Sequence, residues 1–161
     1  MPDITQYLVR IDGGGALLKV VGKAGYLNCS NAGLFLAHIA EKRCQNLEIE
    51  LSECAGMDST FLGMIAGAAL KMRKFGGRIS LANASERICE LAENLGLDRL
   101  VEVRAAAPAA PAQPADALEN AGAAPRAILE AHENLVAADA KNAEKFEDVI
   151  SFLRREIPPT Q

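Results

Sequence analysis

Residues 52–67 read SECAGMDSTFLGMIAG: an acidic residue, two hydroxyls, then a nearly unbroken apolar run. A helix start demands that order. Asp58, set just before the first turn, accepts hydrogen bonds from backbone N–H groups that have no partner of their own, and Ser59 or Thr60 can do the same. The spacing predicts a helix from about Ser59 to Phe75. Lys71, Arg73 and Lys74 then meet the negative end of its dipole, and Gly76-Gly77 can end it. A helix so apolar is expected to be buried on several sides. Gly63 and Gly67, four residues apart, allow a neighbouring element to come close.

Outward from this helix, strands and helices alternate. Upstream, LEIELS (Leu47 to Ser52) alternates apolar and polar residues, the pattern of a strand with one buried face. Thr5 to Ile11 reads as a strand, and Asp12 with Gly13 to Gly15 turns the chain into a second one, ALLKVVG, so that a hairpin is expected. Between them and Leu47, Ser30 to Gln45 shows helical spacing, with Ser30 as candidate N-cap. Downstream, RISLAN is a strand, Ser85 to Asn94 a helix stopped at Gly96, and DRLVEV a final short strand. The order β-β-α-β-α-β-α-β predicts an α/β fold, a mixed sheet with crossover helices packed on it, over residues 1–104.

Residues 105–125 differ in kind. AAAPAAPAQPADALENAGAAP cannot build a core and favours an extended, semi-rigid spacer. Residues 126–161 turn helical again: Ile128, Leu129, His132, Leu135, Val136, Phe146, Val149, Ile150 and Leu153 recur at three- and four-residue steps, with a gap around Asp139. This C-terminal amphipathic helix needs a surface. Its own domain comes first, a second copy (a homodimer) next, and an unstructured tail stays open.

Composition narrows the function. Half of the 161 residues are hydrophobic, aromatics are few and Trp is absent, so the core is aliphatic. Residues 1–104 carry 12 basic and 12 acidic side chains and residues 105–161 carry 5 and 9, a net charge of −4 that argues against nucleic-acid binding. Cys29, Cys44, Cys54 and Cys89 lack metal-ligand spacing, and His38 and His132 stand alone; neither a metal nor another cofactor is expected. Isolated thiols suit a reducing, cytoplasmic setting. Met1-Pro2-Asp3 does not open like a signal peptide, and the longest apolar run, Phe61 to Leu70, is too short to span a bilayer. No catalytic set assembles: no motif places a His beside a Ser or Cys, and Gly22-Lys23-Ala24 lacks the residues of a phosphate loop.

Ser59 remains the residue with chemistry to offer. The plain reading is a helix start with no further role. The functional reading is that a hydroxyl in a first turn, near free N–H donors and partial positive charge, suits a phosphate. Phosphorylation adds roughly −1.5 to −2 charges beside Asp58, enough to repel a docked protein without refolding the domain.

The strand, then MDST, then a small-residue-rich helix, GG and a strand, then S-x-x-I-x-x-L-x-x-x-L-G-L (Ser85 to Leu97), taken in order, resemble a STAS domain of the bacterial anti-sigma factor antagonists over about residues 4–104. The resemblance implies a STAS-like sheet. It implies phosphorylation at Ser59, the Ser directly after the Asp, by an anti-sigma factor serine kinase that is bound when the serine is unmodified. It implies a partner-binding surface at Asn28, Asp58, Ser59, Thr60 and Phe61, with Thr60 the lesser acceptor. Two departures stand out: Phe61 where the family usually has Gly, and Asn28 in GYLN where it has an acidic residue. Phe61 is expected to put an apolar group on the docking surface, and Asn28 to remove a charge there. An alternative remains in which the domain is a structural or sensory component of a larger assembly or transport system and the serine is unused. A nucleotide- or small-ligand-binding module is a third, minor reading.

Overall fold

A computed structural model describes residues 4–13, 15–104 and 115–157. One six-stranded sheet runs in the order β5-β4-β3-β2-β1-β6. β1 (Gln6–Asp12) and β2 (Gly15–Ala24) form the expected hairpin, with Tyr7 opposite Val20 and Val9 opposite Leu18. β2, β3 (Asn46–Met57), β4 (Arg78–Ala82) and β5 (Glu102–Arg104) then pair in parallel. Parallel neighbours need a crossover, and α1 (Ser30–Glu41), α2 (Ser59–Arg73) and α3 (Glu86–Asn94) supply one each. This is the mixed sheet with crossover helices that the sequence predicts.

Alternation decides what the core contains. Leu18 and Val20, Leu47, Ile49 and Leu51, and Ile79 and Leu81 stand two apart on their strands and are all buried. Phe35, Leu36 and Ile39 of α1, Leu62, Ile65 and Met72 of α2, and Ile88 and Ala92 of α3 join them in one cluster. α2 is buried nearly all round, as its apolar sequence implies.

Several boundaries differ from the sequence reading, each for a local reason. Ser30 is the first helical residue of α1 rather than its cap; Cys29 is the cap, without a side-chain bond, and the Ser30 N–H goes to the Ala121 carbonyl instead. The stretch DRLVEV is a 3₁₀ turn (Leu97–Arg99) followed by the three-residue β5. Gly96, at φ 74°, ends α3 in the left-handed region, and the adjacent Asp98 and Arg99 are both exposed, which is not a strand's alternation.

The C-terminal extension departs most. Of the expected spacer, residues 105–114 lie outside the described residues, while Asp116–Leu118 form β6, antiparallel to β1 at the sheet edge. The predicted helix is three: α4 (Pro125–Ala138), α5 (Asn142–Lys145) and α6 (Glu147–Glu156). Pro125 sits in the first turn of α4, where its missing N–H costs nothing. The break falls at Asp139, whose backbone is extended and whose carboxylate accepts the Lys141 N–H at 3.0 Å. α4 lies against α2, so the extension folds back on its own domain.

Candidate partner-docking site

Asp58 joins two helix starts. Its backbone is extended, its Oδ1 accepts the Phe61 N–H at 3.0 Å as an N-cap should, and its Oδ2 accepts the Tyr26 N–H at 2.9 Å from the loop that leads into α1. Gly25 is required there, because a Cβ on it would sit 2.5 Å from Oδ2. The same carboxylate thus sets the first turn of α2 and the loop beside it. That loop leaves Tyr26 50% and Leu27 74% exposed.

Ser59, the first residue of α2, is half-buried. Its Oγ lies 2.9 Å from Nε2 of His132 on α4. The other ring nitrogen, Nδ1, is 2.7 Å from the Ile128 carbonyl oxygen, which can only accept, so Nδ1 carries the hydrogen. In the neutral ring Nε2 is then an acceptor and takes the serine hydroxyl hydrogen. His132 itself is 4% exposed and packs edge-on against Phe146, with ring centroids 5.1 Å apart.

The other residues expected at this surface are placed differently. Thr60 is buried, and Phe61 is fully buried, its ring 5.8 Å from that of Tyr7 on β1. Phe61 therefore puts no apolar group on the docking surface; at that point of α2 the side chain faces the sheet. Asn28 is partly buried and internally bonded. Its Oδ1 accepts from the Tyr7 hydroxyl at 2.6 Å and the Gly25 N–H at 3.2 Å, and its amide donates to the Lys23 carbonyl at 3.0 Å. An acidic side chain there keeps both acceptances and loses the donation, leaving a carboxylate against a carbonyl oxygen. Asn28→Asp is accordingly expected to lower stability by about 1 kcal/mol, read from urea unfolding; an unchanged midpoint would show that the amide's donation contributes nothing.

The chemistry around Asp58 is otherwise neutral. Cys29 is fully buried; burial first, and the Asp58 carboxylate second, push its thiol up to about 12. Burial also raises Tyr7 above its ordinary value. Neither serves as a nucleophile or base near neutral pH. Among the described residues, no group of three or more His, Cys, Asp or Glu is placed to hold a metal ion, and no helix is long and apolar enough to cross a membrane.

The face of α2 next to Ser59 is where α4 docks. A Cβ on Gly63 would run into the Ala131 carbonyl, and one on Gly67 into the Asn134 amide. The two glycines thus admit the neighbour that their spacing predicts. Asn134 donates to the Gly63 carbonyl at 3.2 Å. Between α1, α2 and α4 an open groove of about 190 Å³ remains, lined by Leu34, Met64, Gly67, Lys71, Ala127 and Asn134.

Sequence reasoning missed two features of this site. His132 is 73 positions from Ser59, and no local pattern links them. Tyr26 and Leu27 stand inside GYLN, where a pair of apolar residues after a glycine does not announce whether it is buried.

Comparisons with known proteins agree with the fold. The chain is 37% identical over 60 residues to the anti-sigma-B factor antagonist of Bacillus subtilis, an alignment covering 37% of this chain. The chain spans about half the length of that curated relative, 55%. A putative anti-sigma factor antagonist of Thermotoga maritima shares the architecture at a TM-score of 0.50 and 24% identity, over 61% of this chain and 85% of that one. The Bacillus cell fate determinant SpoIIAA, solved in the phosphorylated form, does so at a TM-score of 0.52 and 14% identity, over 61% and 89%. The family model described as "Mlab, STAS domain" matches residues 8–102, leaving β6 and α4–α6 outside the match. With that match spanning strands β1 to β4 and all three crossover helices, this chain belongs to the STAS domain family.

Proposed function

We propose that this chain is a protein-binding module of the anti-sigma factor antagonist kind, and not an enzyme. Unmodified, it captures an anti-sigma factor serine kinase in the cytosol; phosphorylated at Ser59, it lets the kinase go. The observation that carries this reading is the placement of Ser59. Its hydroxyl opens a helix capped by Asp58, beside a loop that leaves Tyr26 and Leu27 exposed. An exposed apolar pair next to a modifiable hydroxyl suits a surface from which an added charge expels a partner. The Bacillus subtilis relative, itself an anti-sigma-B factor antagonist, supports the same class.

A near-complete switch needs a differential of about 5.5 kcal/mol. One exposed charge pair supplies about 0–1 kcal/mol, so the phosphate must also clash inside a tight interface. Ser59→Asp is expected to weaken binding to the cognate kinase at least tenfold, a change of about 1.4 kcal/mol, while Ser59→Ala binds throughout. Titration calorimetry with each variant decides it. Equal affinities for the two would end the switch reading.

The hydrogen bond from Ser59 to the nearly buried His132 favours a second reading, a structural STAS component in which the serine is never modified. Intact-mass analysis of the protein from its own cell, with the modified residue mapped, separates the two. A phosphate on Ser59 sinks the second reading; its absence under every growth condition sinks the first.

A further inference from the structure

The segment from β6 through α6 covers the side of the domain that Ser59 opens onto, and its manner of attachment is unlike that of the core. It runs as a strap. β6 pairs with β1, Asn31 on α1 donates to the Glu119 carbonyl at 2.7 Å, the Ser30 N–H to Ala121 at 2.9 Å, and the Ala123 N–H to Tyr26 at 2.6 Å. α4 then crosses α2 and brings His132 onto Ser59. We propose that this segment is an autoinhibitory arm: docked, it holds the Ser59 hydroxyl on His132 and covers the Gly63–Gly67 face, and a partner or a kinase reaches Ser59 only when the arm lifts.

The contacts beneath the arm are part apolar and part polar, and water replaces the polar ones on lifting. Leu135 is the one large apolar side chain that α4 buries; the others are Ala131 and His132. Around them the arm is tied by polar bonds to main-chain oxygens: Asn134 to Gly63, Asn142 to Leu95 and Lys145 to Asn94. Each exchanges for a bond to water on lifting, so little is lost per bond. Meanwhile α4 and α6 hold each other. Ile150 and Leu153 are buried yet stand outside the main core cluster, and Arg154 pairs with Glu133 at 2.8 Å. A hairpin with internal contacts of its own, tied to the domain by one fully buried leucine and a set of polar bonds, can open as a unit without global unfolding.

The arm also reaches its place within one chain. β5 and β6 lie at opposite edges of the sheet, five strand spacings or about 24 Å apart. The eleven Cα steps from Arg104 to Ala115 span up to about 36 Å.

The inference rests on the reading of Ser59 as the regulated face, but its test needs no partner and so fails or succeeds separately. In the full chain, amide exchange of α4–α6 is expected to proceed through a partial opening, faster than exchange in β3 and α2. In parallel, Ser59→Cys places a thiol at the site, and iodoacetamide labelling mapped by mass spectrometry reads its exposure. Minor open states of about 0.1–10% mean that Ala131→Arg, which drives a bulky group between α4 and Gly63, raises labelling at position 59 at least about tenfold. Labelling at Cys54 stays level, and the fully buried Cys29 stays unlabelled. An unchanged rate at position 59 overturns the proposal. Should Ala131→Arg unfold the chain, seen as labelling of Cys29, the wild-type exchange decides: arm amides that exchange only with the whole core overturn it. A stable dimer mass with arm exchange that slows as protein concentration rises would place the arm on a second copy and overturn it as well.

Discussion

Phe61→Ala is expected to cost about 3–5 kcal/mol of folding stability, measured by urea unfolding. Phe61 is fully buried, and its ring meets Tyr7 at 5.8 Å between centroids, tilted by 48°. The cost of such a truncation depends on how far the neighbours collapse into the space. Tyr7 has little freedom to follow: its backbone is paired in β1, and its hydroxyl is held by Asn28 at 2.6 Å. The cavity therefore persists, which argues for the upper half of the range. Small domains have about 5–15 kcal/mol in all, so roughly a quarter or more of the total goes with one ring. A loss below about 1 kcal/mol would mean that the helix and β1 close over the gap and that the Tyr7–Asn28 tie does not hold them apart.

Leu135→Ala removes a side chain equally buried in the same core cluster, and a different outcome is expected. With the arm docked the nominal cost is about 2–5 kcal/mol. An arm that lifts on its own sets a ceiling. Once the weakened contact costs more than undocking, the arm leaves and the sheet with α1–α3 feels no further loss. The global unfolding midpoint should then move less than for Phe61→Ala, while α4–α6 amides exchange roughly tenfold faster or more, in keeping with at least 1.4 kcal/mol lost from docking. If Leu135→Ala instead shifts global unfolding by the full amount and leaves arm exchange in step with the core, the extension is an integral layer and Ser59 is permanently covered. The two substitutions together distinguish a core residue from an anchor.

Much of this was legible in the residues alone because the deciding interactions are short-range. A cap spans three residues, and Asp58 to Phe61 N–H is such a bond, as is Ser85 to Ile88 N–H at 3.2 Å. Strand alternation is a period of two, and Leu47, Ile49 and Leu51 kept it through burial. The gap at Asp139 was visible only as a weak place in one expected helix; it is a helix end, because an extended aspartate bonds the backbone two residues on. Where the reading went astray, the missing information was tertiary. Ser30 looked like a cap but its turn is closed by Ala121, and Asp116 to Leu118, set among Ala and Pro, became a strand only because β1 offered an open edge.

The site divides the same way. That a hydroxyl follows an aspartate at a helix start is written in adjacent letters, and so is the glycine pair that invites a close neighbour. Which neighbour arrives, and that it carries an imidazole to the hydroxyl from 73 positions away, is settled only by the packing of whole faces. Local bonding rules act over one turn of chain and leave a pattern in the sequence. Surface against surface obeys size and shape, which many residue choices satisfy equally, and so leaves none.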